Sequence, residues 1–318
     1  MGATSHDLHI DKLLSEMAIN YRPEGFIADM IAPVVRVSKQ SDMYAVFDRG
    51  DRLRQQDTKR APGTRAKQVI ENVGSDTYFA NNYALSSPVT IEDKANADPI
   101  LASELVDGRT MLILDHLALD WEIRVGNQVT SGSNVGSYSA VGSAWNVPEG
   151  DGNPIADINA GLDNVRFSNG IRPNKVTFGI DAWLSFRRHK NVRNLIFGTN
   201  NGGGYPSTQQ VADLLDVEEV QVGGAFQNTG EEGQSEALSS IWGDNVLMSY
   251  TAPRPTRETP SFMYTFRWAA AGLPQMQVER HPYDSRTKSE DVEAGYYQDE
   301  KITGSTYAFL LVACNSST

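Results

Sequence analysis

The sequence predicts an α+β fold on three observations. A helical period runs through residues 98–126. Short runs with a strand period, some alternating and some wholly apolar, lie on both sides of it, among them 43–47, 77–85, 175–180, 262–268 and 307–312. The third observation is composition: 27 Gly and 14 Pro in a chain that is 40% hydrophobic and 21% charged imply many turns and much strand. At 318 residues the chain has material for about two domains and a sizeable core.

Taken from the N-terminus, Ile10 to Tyr21 predicts a short amphipathic helix with Leu13, Leu14 and Met17 on one side, ended by Pro23 and Gly25. Phe26, Ile27, Met30 and Ile31 make a second apolar turn before Pro33. Both are too short to hold alone and must pack on something larger. Met43–Phe47 reads as a strand, the basic stretch around Pro62 and Gly63 as a loop, and Thr77–Leu85 as a returning strand with Phe79, Tyr83 and Leu85 sharing a face. A two-stranded excursion of this kind is marginal in water. With few aliphatic side chains of its own it needs an external surface, on another domain or on a neighbouring subunit.

The helix over 98–126 opens with Asp98 as N-cap and Pro99 at the first position, and Leu101, Leu105, Gly108, Leu112, Leu119 and Ile123 recur along one side. Roughly 28 residues at 1.5 Å each give a rod ~42 Å long, which is the length of a structural spine. A Gly/Ser-rich crossing over 131–154 closes this region. A mixed second domain follows, with a helix over Ile155–Phe167, a buried strand over Lys175–Ile180 and a helix over Ala182–Phe197 capped by Asp181. It continues with a loop over Gly198–Pro206, a short helix over Thr208–Leu215 and strands at Glu218–Val222, Asn245–Tyr250 and Phe262–Trp268. The last strands, Met276–Arg280, Gly295–Gln298 and Tyr307–Val312, are expected to form one layer with the long helix.

Charge excludes several functions. The formal net charge of -12 argues against general binding to DNA or anionic lipid, since each phosphate contact needs a local cation. The charge is also uneven. Between Asp48 and Gln68 seven basic residues, Arg49, Arg52, Arg54, Lys59, Arg60, Arg65 and Lys67, face three acids, a net of +4. From Asn194 to Pro253 there is no Lys or Arg, while Asp213, Asp216, Glu218, Glu219, Glu231, Glu232, Glu236 and Asp244 give -8. Such runs are ordinarily solvated surface, and they equally suit contacts between copies of one chain. The start lacks a basic region followed by an apolar one, and no run of about 18 apolar residues occurs, so a cytosol-like compartment without a membrane span is expected.

No chemistry-bearing constellation emerges, and neither a cofactor nor a metal is expected. His6 and His9 have a possible metal-pair spacing but no third ligand beyond Asp7; the single Cys314 follows an apolar strand, where a small buried residue is expected. Gly198–Gly204 lacks the Lys-Ser/Thr of a phosphate-binding loop and follows a helix, the wrong end for an anion. No serine sits in a nucleophile elbow. Asp120 and Glu122 point to different sides of the long helix, so they form no acid/base couple.

The order of parts does carry a resemblance. The arm, the basic hairpin, the returning stretch Tyr83–Lys94, the Asp98-Pro99 opening of a long helix that ends in Leu119–Val125, and Val176–Trp183 followed by a helix resemble the major capsid protein of tailed bacteriophages, with its Hong Kong 97-type fold. The likeness covers nearly the whole chain. It implies an N-terminal arm (1–37), an extended loop (38–93), a peripheral domain (94–150, with the spine helix at 98–126 and long strands at 127–150, completed by strands at 273–318) and an inserted axial domain (151–272). It further implies a non-enzymatic shell protein that binds itself, in hexamers and pentamers, enclosing double-stranded DNA without sequence-specific contact.

The basic loop residues Arg49, Arg52, Arg54, Lys59, Arg60, Arg65 and Lys67 become candidate inter-subunit contacts, and Asp213, Asp216, Glu218, Glu219, Glu231 and Glu232 a candidate acidic surface of the axial domain. Some relatives begin with a long cleaved scaffolding segment; about 40 residues precede the loop here, so a separate scaffolding protein is expected, with a portal and possible decoration proteins. The expected location is the virion capsid, assembled in the host bacterial cytoplasm. The alternatives are an encapsulin-like nanocompartment shell around a protein cargo and, from another class, a cytosolic hydrolase with an unrecognised site.

Overall fold

The computed structural model describes residues 9–10, 15, 18, 23–47, 54–66, 68, 73–96, 101–147, 151–198, 204–257, 259–270 and 273–315. In chain order these form β1 (His9–Ile10), α1 (Ala28–Ile31), β2 (Val34–Val37), β3 (Ser41–Phe47), β4 (Val73–Phe79), β5 (Asn81–Thr90), α2 (Ile91–Asn96), α3 (Leu101–Val129) and β6 (Tyr138–Ala140). They continue with α4 (Pro154–Asn169), β7 (Lys175–Gly179), α5 (Ile180–Arg188), α6 (Lys190–Phe197), α7 (Thr208–Leu215), β8 (Glu219–Gly223), β9 (Phe226–Asn228), β10 (Leu238–Ser240), β11 (Val246–Ser249), β12 (Met263–Trp268), β13 (Met276–Arg280), β14 (Ser289–Ile302) and β15 (Ala308–Val312).

Local chemistry explains most boundaries. Asn153 caps α4 through the Ala156 N–H, Pro154 occupies the first helical position, and Gly170 closes the helix in the left-handed region. Ser207 and Gln210 make a reciprocal capping box on α7. The single helix expected over 182–197 is two. His189 breaks it: its extended backbone ends α5, and its buried ring accepts the Asn191 N–H to start α6. Asp181 lies inside the first turn of α5, whose N-cap is Gly179, so it is not the cap. Gly179 is glycine because a Cβ there would collide with the Gly243 carbonyl.

Two larger sheets organise the chain. In one, β14, 14 residues long, pairs with β5 along one edge and with β13 and β12 end to end along the other; β1 flanks β13, and β2 lies parallel to β12. The other runs β6-β15-β11-β7-β8, with parallel pairs at β6–β15 and β7–β8. Three expectations need correction. The strand expected over 77–85 is broken at buried Ala80, with β4 returning to β3 and β5 leaving for β14; Phe79 and Leu85 are exposed. Among the described residues of 127–150 there is no long strand, because α3 runs on to Val129 and β6 is three residues long. Strand 308–312 does not join the sheet of β13 and β14 but pairs with β11, since its wholly apolar run suits a strand buried on both faces.

The spine helix α3, 29 residues, links the two sheets. Ile113, Leu114 and Leu117 pack on Met276, Val278, Val292 and Tyr296, while Val125 and Val129 pack against Ile241, Trp242, Leu247 and Leu310. Gly126 permits that second contact, since a Cβ would lie 2.6 Å from the Ile241 side chain. The buried side is only partly the one expected: Leu119 and Ile123 pack against the second of these clusters, but Leu112 is exposed and Gly108 faces open space. Asp98 and Pro99 lie outside the described residues, as does most of the helix expected over 10–21; Ser15 within it accepts the Val278 N–H at 3.1 Å.

Candidate self-assembly surfaces

The β3–β4 hairpin is built differently at its two ends. At its root Tyr44 and Tyr78 are buried and lie against Phe266 of β12, with ring centroids 5.2 and 4.7 Å apart, over Val35 and Val37 of β2. The Tyr44 hydroxyl donates to Asp76 (2.9 Å), the Tyr78 hydroxyl to the Lys39 carbonyl (3.1 Å), and the Phe79 N–H to Asp299 (2.8 Å). Arg257 pairs with Asp42 at 2.9 Å. These donors set the charges: the Met43 N–H, with Arg257, holds Asp42 below the usual carboxylate range, and the Thr77 N–H, with Tyr44, does the same for Asp76. Burial, with Asp76 alongside, pushes the Tyr44 hydroxyl well up. The root thus finds on its own chain the surface that the sequence required.

The distal segment is bare. Of residues 54–66 only Gln56 is even half-buried, and Arg54, Lys59, Arg60 and Arg65 are exposed there. Arg60 donates to the Thr64 carbonyl at 2.6 Å across the Pro62–Gly63 turn, which fixes the turn without covering it. Arg49, Arg52 and Lys67 lie outside the described residues.

The acidic candidates divide into two groups. Asp216 pairs with Arg172, Glu219 with Lys175 (3.1 Å), and Glu218 accepts from Asn174 (3.0 Å), so these three are neutralised or hydrogen-bonded within the chain. Asp213 accepts from Gln209 on the exposed side of α7. Glu231 and Glu232 sit at the exposed turn of the β9–β10 ribbon, an element absent from the sequence expectations because its strands are only three residues each.

Behind these surfaces lies a charged network that sequence reasoning missed. Arg267, buried in β12, donates to Gln298 (2.6 and 3.1 Å), Gln298 donates to Glu300 (2.6 Å), and Arg124 of α3 donates to Glu300 (2.9 Å) and also pairs with Asp120. Arg267 lies over the rings of Trp121 and Tyr296, and Arg124 over Tyr83. Burial depresses the Arg267 guanidinium, whereas for Arg124 the same burial is outweighed by Glu300, which holds its charge firmly. Glu122 is not an idle helix carboxylate either. It accepts the Ile27 and Ala28 N–H groups and the Trp242 indole N–H at 2.7 to 3.1 Å, capping α1 and tying the arm to both sheets. The signal was available for two residues: Gln298 and Glu300 fall on the same parity of β14 as buried Val292, Ala294 and Tyr296.

Among the described residues no three His, Cys, Asp or Glu side chains gather to hold a metal, and no helix is long and apolar enough to cross a membrane. Cys314 is buried, and burial with Asp244 nearby raises its thiol far above the reactive range. His281 pairs with Glu293 (3.0 Å) on the open face of β14. A hollow of about 740 Å³ lies at the hairpin root between Tyr44, Asp76, Arg257 and Lys301.

No family model matches the chain. The major capsid protein of Burkholderia phage BcepMu is 25% identical over 280 residues, covering 84% of this chain and 86% of that protein. The major capsid protein of Pseudomonas phage JBD67 is 28% identical over 271 residues, covering 81% and 83%. Among solved structures, a phage-related protein of Bordetella bronchiseptica RB50 superposes with a TM-score of 0.77 at 22% identity, covering 98% of this chain and 99% of that one. The capsid of cyanophage P-SCSP1u gives 0.60 at 11% identity over 99% and 93%. A spine helix bridging two sheets, a hairpin anchored at its root with residues 54–66 nearly all exposed, and likeness along most of the chain agree: the chain is related to phage major capsid proteins and carries the Hong Kong 97-type fold of phage capsids.

Proposed function

We propose that the chain is the repeating unit of the icosahedral head shell that encloses the double-stranded DNA of a tailed bacteriophage. The observation that carries this reading is the hairpin, fixed at its root by buried tyrosines and exposed at its basic tip, on a chain related along most of its length to phage major capsid proteins. A long exposed ribbon serves little purpose in a monomer, but in a lattice it finds its cover on the next subunit. Residues 38–93 then act as the extended loop, 94–150 with 273–318 as the peripheral domain and 151–272 as the axial domain. The subunit works by repeated self-contact, in hexamers and pentamers, and not by catalysis.

The basic tip residues from Arg49 to Lys67 engage a neighbouring copy, and the excess of acid keeps the shell from gripping packaged phosphate. A separate scaffolding protein, a portal and decoration proteins complete the head, which assembles in the host cytoplasm and persists as the virion capsid. Sequence kinship to phage capsid proteins favours a genome as content over the protein cargo of a nanocompartment. Electron microscopy of the purified protein after size-exclusion chromatography tests the reading. Closed shells, tubes or ring-shaped capsomers are expected; stable monomers at high concentration, with other head components added, overturn it. Absorbance separates nucleic acid from protein cargo. Arg52→Glu with Arg54→Glu is expected to leave a folded subunit that assembles poorly, and normal particles from it would remove the loop's charge from the account.

A further inference from the structure

Two surfaces beside β7 and β8 complement each other but lie apart on the chain. The first is a basic corner. Residues 182–212 contain no acid, while Arg187, Arg188, Lys190 and Arg193 place four cations within seven positions. The helix break at His189 falls between them, and the Arg187 and Arg193 guanidinium groups from its two sides lie 4.9 and 5.7 Å from the centroid of Tyr205. Arg188 is exposed, as are Tyr205 (54%) and Leu195 (63%), so the corner offers apolar area together with positive charge.

The second surface is the β9–β10 ribbon. From Ala225 to Ile241 it carries Glu231, Glu232 and Glu236 and no cation. None of these three carboxylates has an ion pair or side-chain hydrogen bond among the described residues. The register pairs Phe226 with Ser240 and Asn228 with Leu238, which puts Phe226 and Leu238 on one face, and they are 51% and 70% exposed. A two-stranded ribbon is marginal in water, and one that shows both its large apolar side chains to solvent lacks a cover.

Topology keeps the two surfaces apart. β7 and β8 are parallel with Gly179 opposite Gly223, and the ribbon leaves from that end of the sheet. α5 starts at the same end, and its nine residues carry the corner ~14 Å away from it. Resting on the shell-forming reading above, we propose that the β9–β10 ribbon of one copy docks on the α5–α6 corner of the next, with Glu231, Glu232 and Glu236 against Arg188 and Lys190 and with Phe226 and Leu238 against Leu195 and Tyr205. The two patches differ, so the contact is head-to-tail, and a head-to-tail contact repeated about an axis closes a ring. Acid and base on one axial region thus suffice to make a capsomer ring, and the basic hairpin tip is left to join elsewhere.

Charge reversal tests it through particle yield. Glu231→Lys/Glu232→Lys/Glu236→Lys and, separately, Arg188→Glu/Lys190→Glu are each expected to lower closed shells about tenfold at equal soluble protein, and all five changes together to restore them to within about threefold. Glu231, Glu232, Glu236 and Arg188 are exposed and Lys190 is half-buried, and an unchanged thermal melt verifies folding. Normal assembly of either partial variant overturns the proposal, as does a five-fold variant no better than its parts. Loss of shells only on corner reversal also overturns it, pointing to nucleic acid as the occupant. A wild-type chain that makes no shells would instead sink the shell reading itself. As a second measurement, Arg188→Cys/Glu232→Cys shells treated with a short bismaleimide should give a ladder of covalent oligomers, because native Cys314 is buried; particles that yield no ladder overturn the contact.

Discussion

The two larger sheets differ most in the charge that their cores hold. The β6-β15-β11-β7-β8 sheet rests on a buried aromatic cluster, in which Phe178, Trp183 and Phe186 meet at 5.0 to 6.2 Å and Trp145 adds a buried indole whose N–H finds Asp157. The sheet around β14 buries Arg267, Gln298 and Glu300 where apolar residues would be ordinary. Apolar packing is tolerant and non-directional, while a buried ionic network fixes geometry and punishes the loss of any one member. The region that carries the hairpin root and the spine helix is thus the one whose geometry is specified by charge.

Breaking one member of each kind gives the largest effects. Glu300→Ala leaves Arg124 only Asp120 as an ion-pair partner, removes the acceptor of Gln298 and takes the nearby carboxylate from buried Arg267, and should cost about 3–5 kcal/mol, seen as a fall in denaturant midpoint. Trp145→Ala opens a cavity and should cost a similar ~3–5 kcal/mol. The comparison sharpens with the paired change Arg124→Leu/Glu300→Leu. In a charge-specified region the pair should cost less than Glu300→Ala alone, and a cost equal to the sum of the single changes would break the contrast.

Acid and base should separate the regions next. Burial pushes Glu122 up despite its three N–H donors, and burial likewise raises Glu279 and Asp299 beside β14. A carboxyl with a raised native value lends stability in full below its ordinary value, 4.5 for Glu122, and loses it as pH rises through the native value. Asp42 and Asp76 at the hairpin root are lowered and behave oppositely, lending stability above 3.8 that is lost on acidification through their native values. Glu122→Gln should therefore cost about 1–3 kcal/mol through mismatched donors and flatten the decline in stability above pH 4.5. Unfolding titrations across pH that keep the same slope in the variant would deny Glu122 that role.

How much of this was legible follows the same divide. The apolar side was largely open to reading: the strands expected over 175–180 and 307–312 became interior strands of their sheet, and the helix expected over 155–167 became α4. The charged side was not. Periodicity placed Leu112 on the buried side of the spine helix, but Glu122 and Thr110 lie inside while Leu112 faces out, because partners far along the chain decide which polar groups can be satisfied. His189 showed no break in helical pattern, as its cap forms only with its ring buried. The candidate surfaces were half legible. Net charge picked out the exposed loop and the acidic stretch, whereas the pairing of Asp216 and Glu219 with Arg172 and Lys175, some 44 residues away, needed the fold.

The smallest effect concerns where the hairpin root belongs. Tyr44 packs its ring at a tilt on Phe266 of the charge-specified sheet, but its hydroxyl donates to Asp76 within the hairpin itself. Tyr44→Phe keeps the ring contact and removes only that bond, so it should cost about 0.5–1.5 kcal/mol. If root and sheet are separable, the loss should be local: amide exchange in β3 and β4 should quicken while exchange in β12 and β14 stays unchanged. Asp76, held low first by the Thr77 N–H and then by Tyr44, should titrate higher in the variant. Faster exchange spread evenly through β12 and β14 would instead make the root an integral part of the sheet, so that any neighbour engaging the tip would pull on the Arg267–Glu300 network directly.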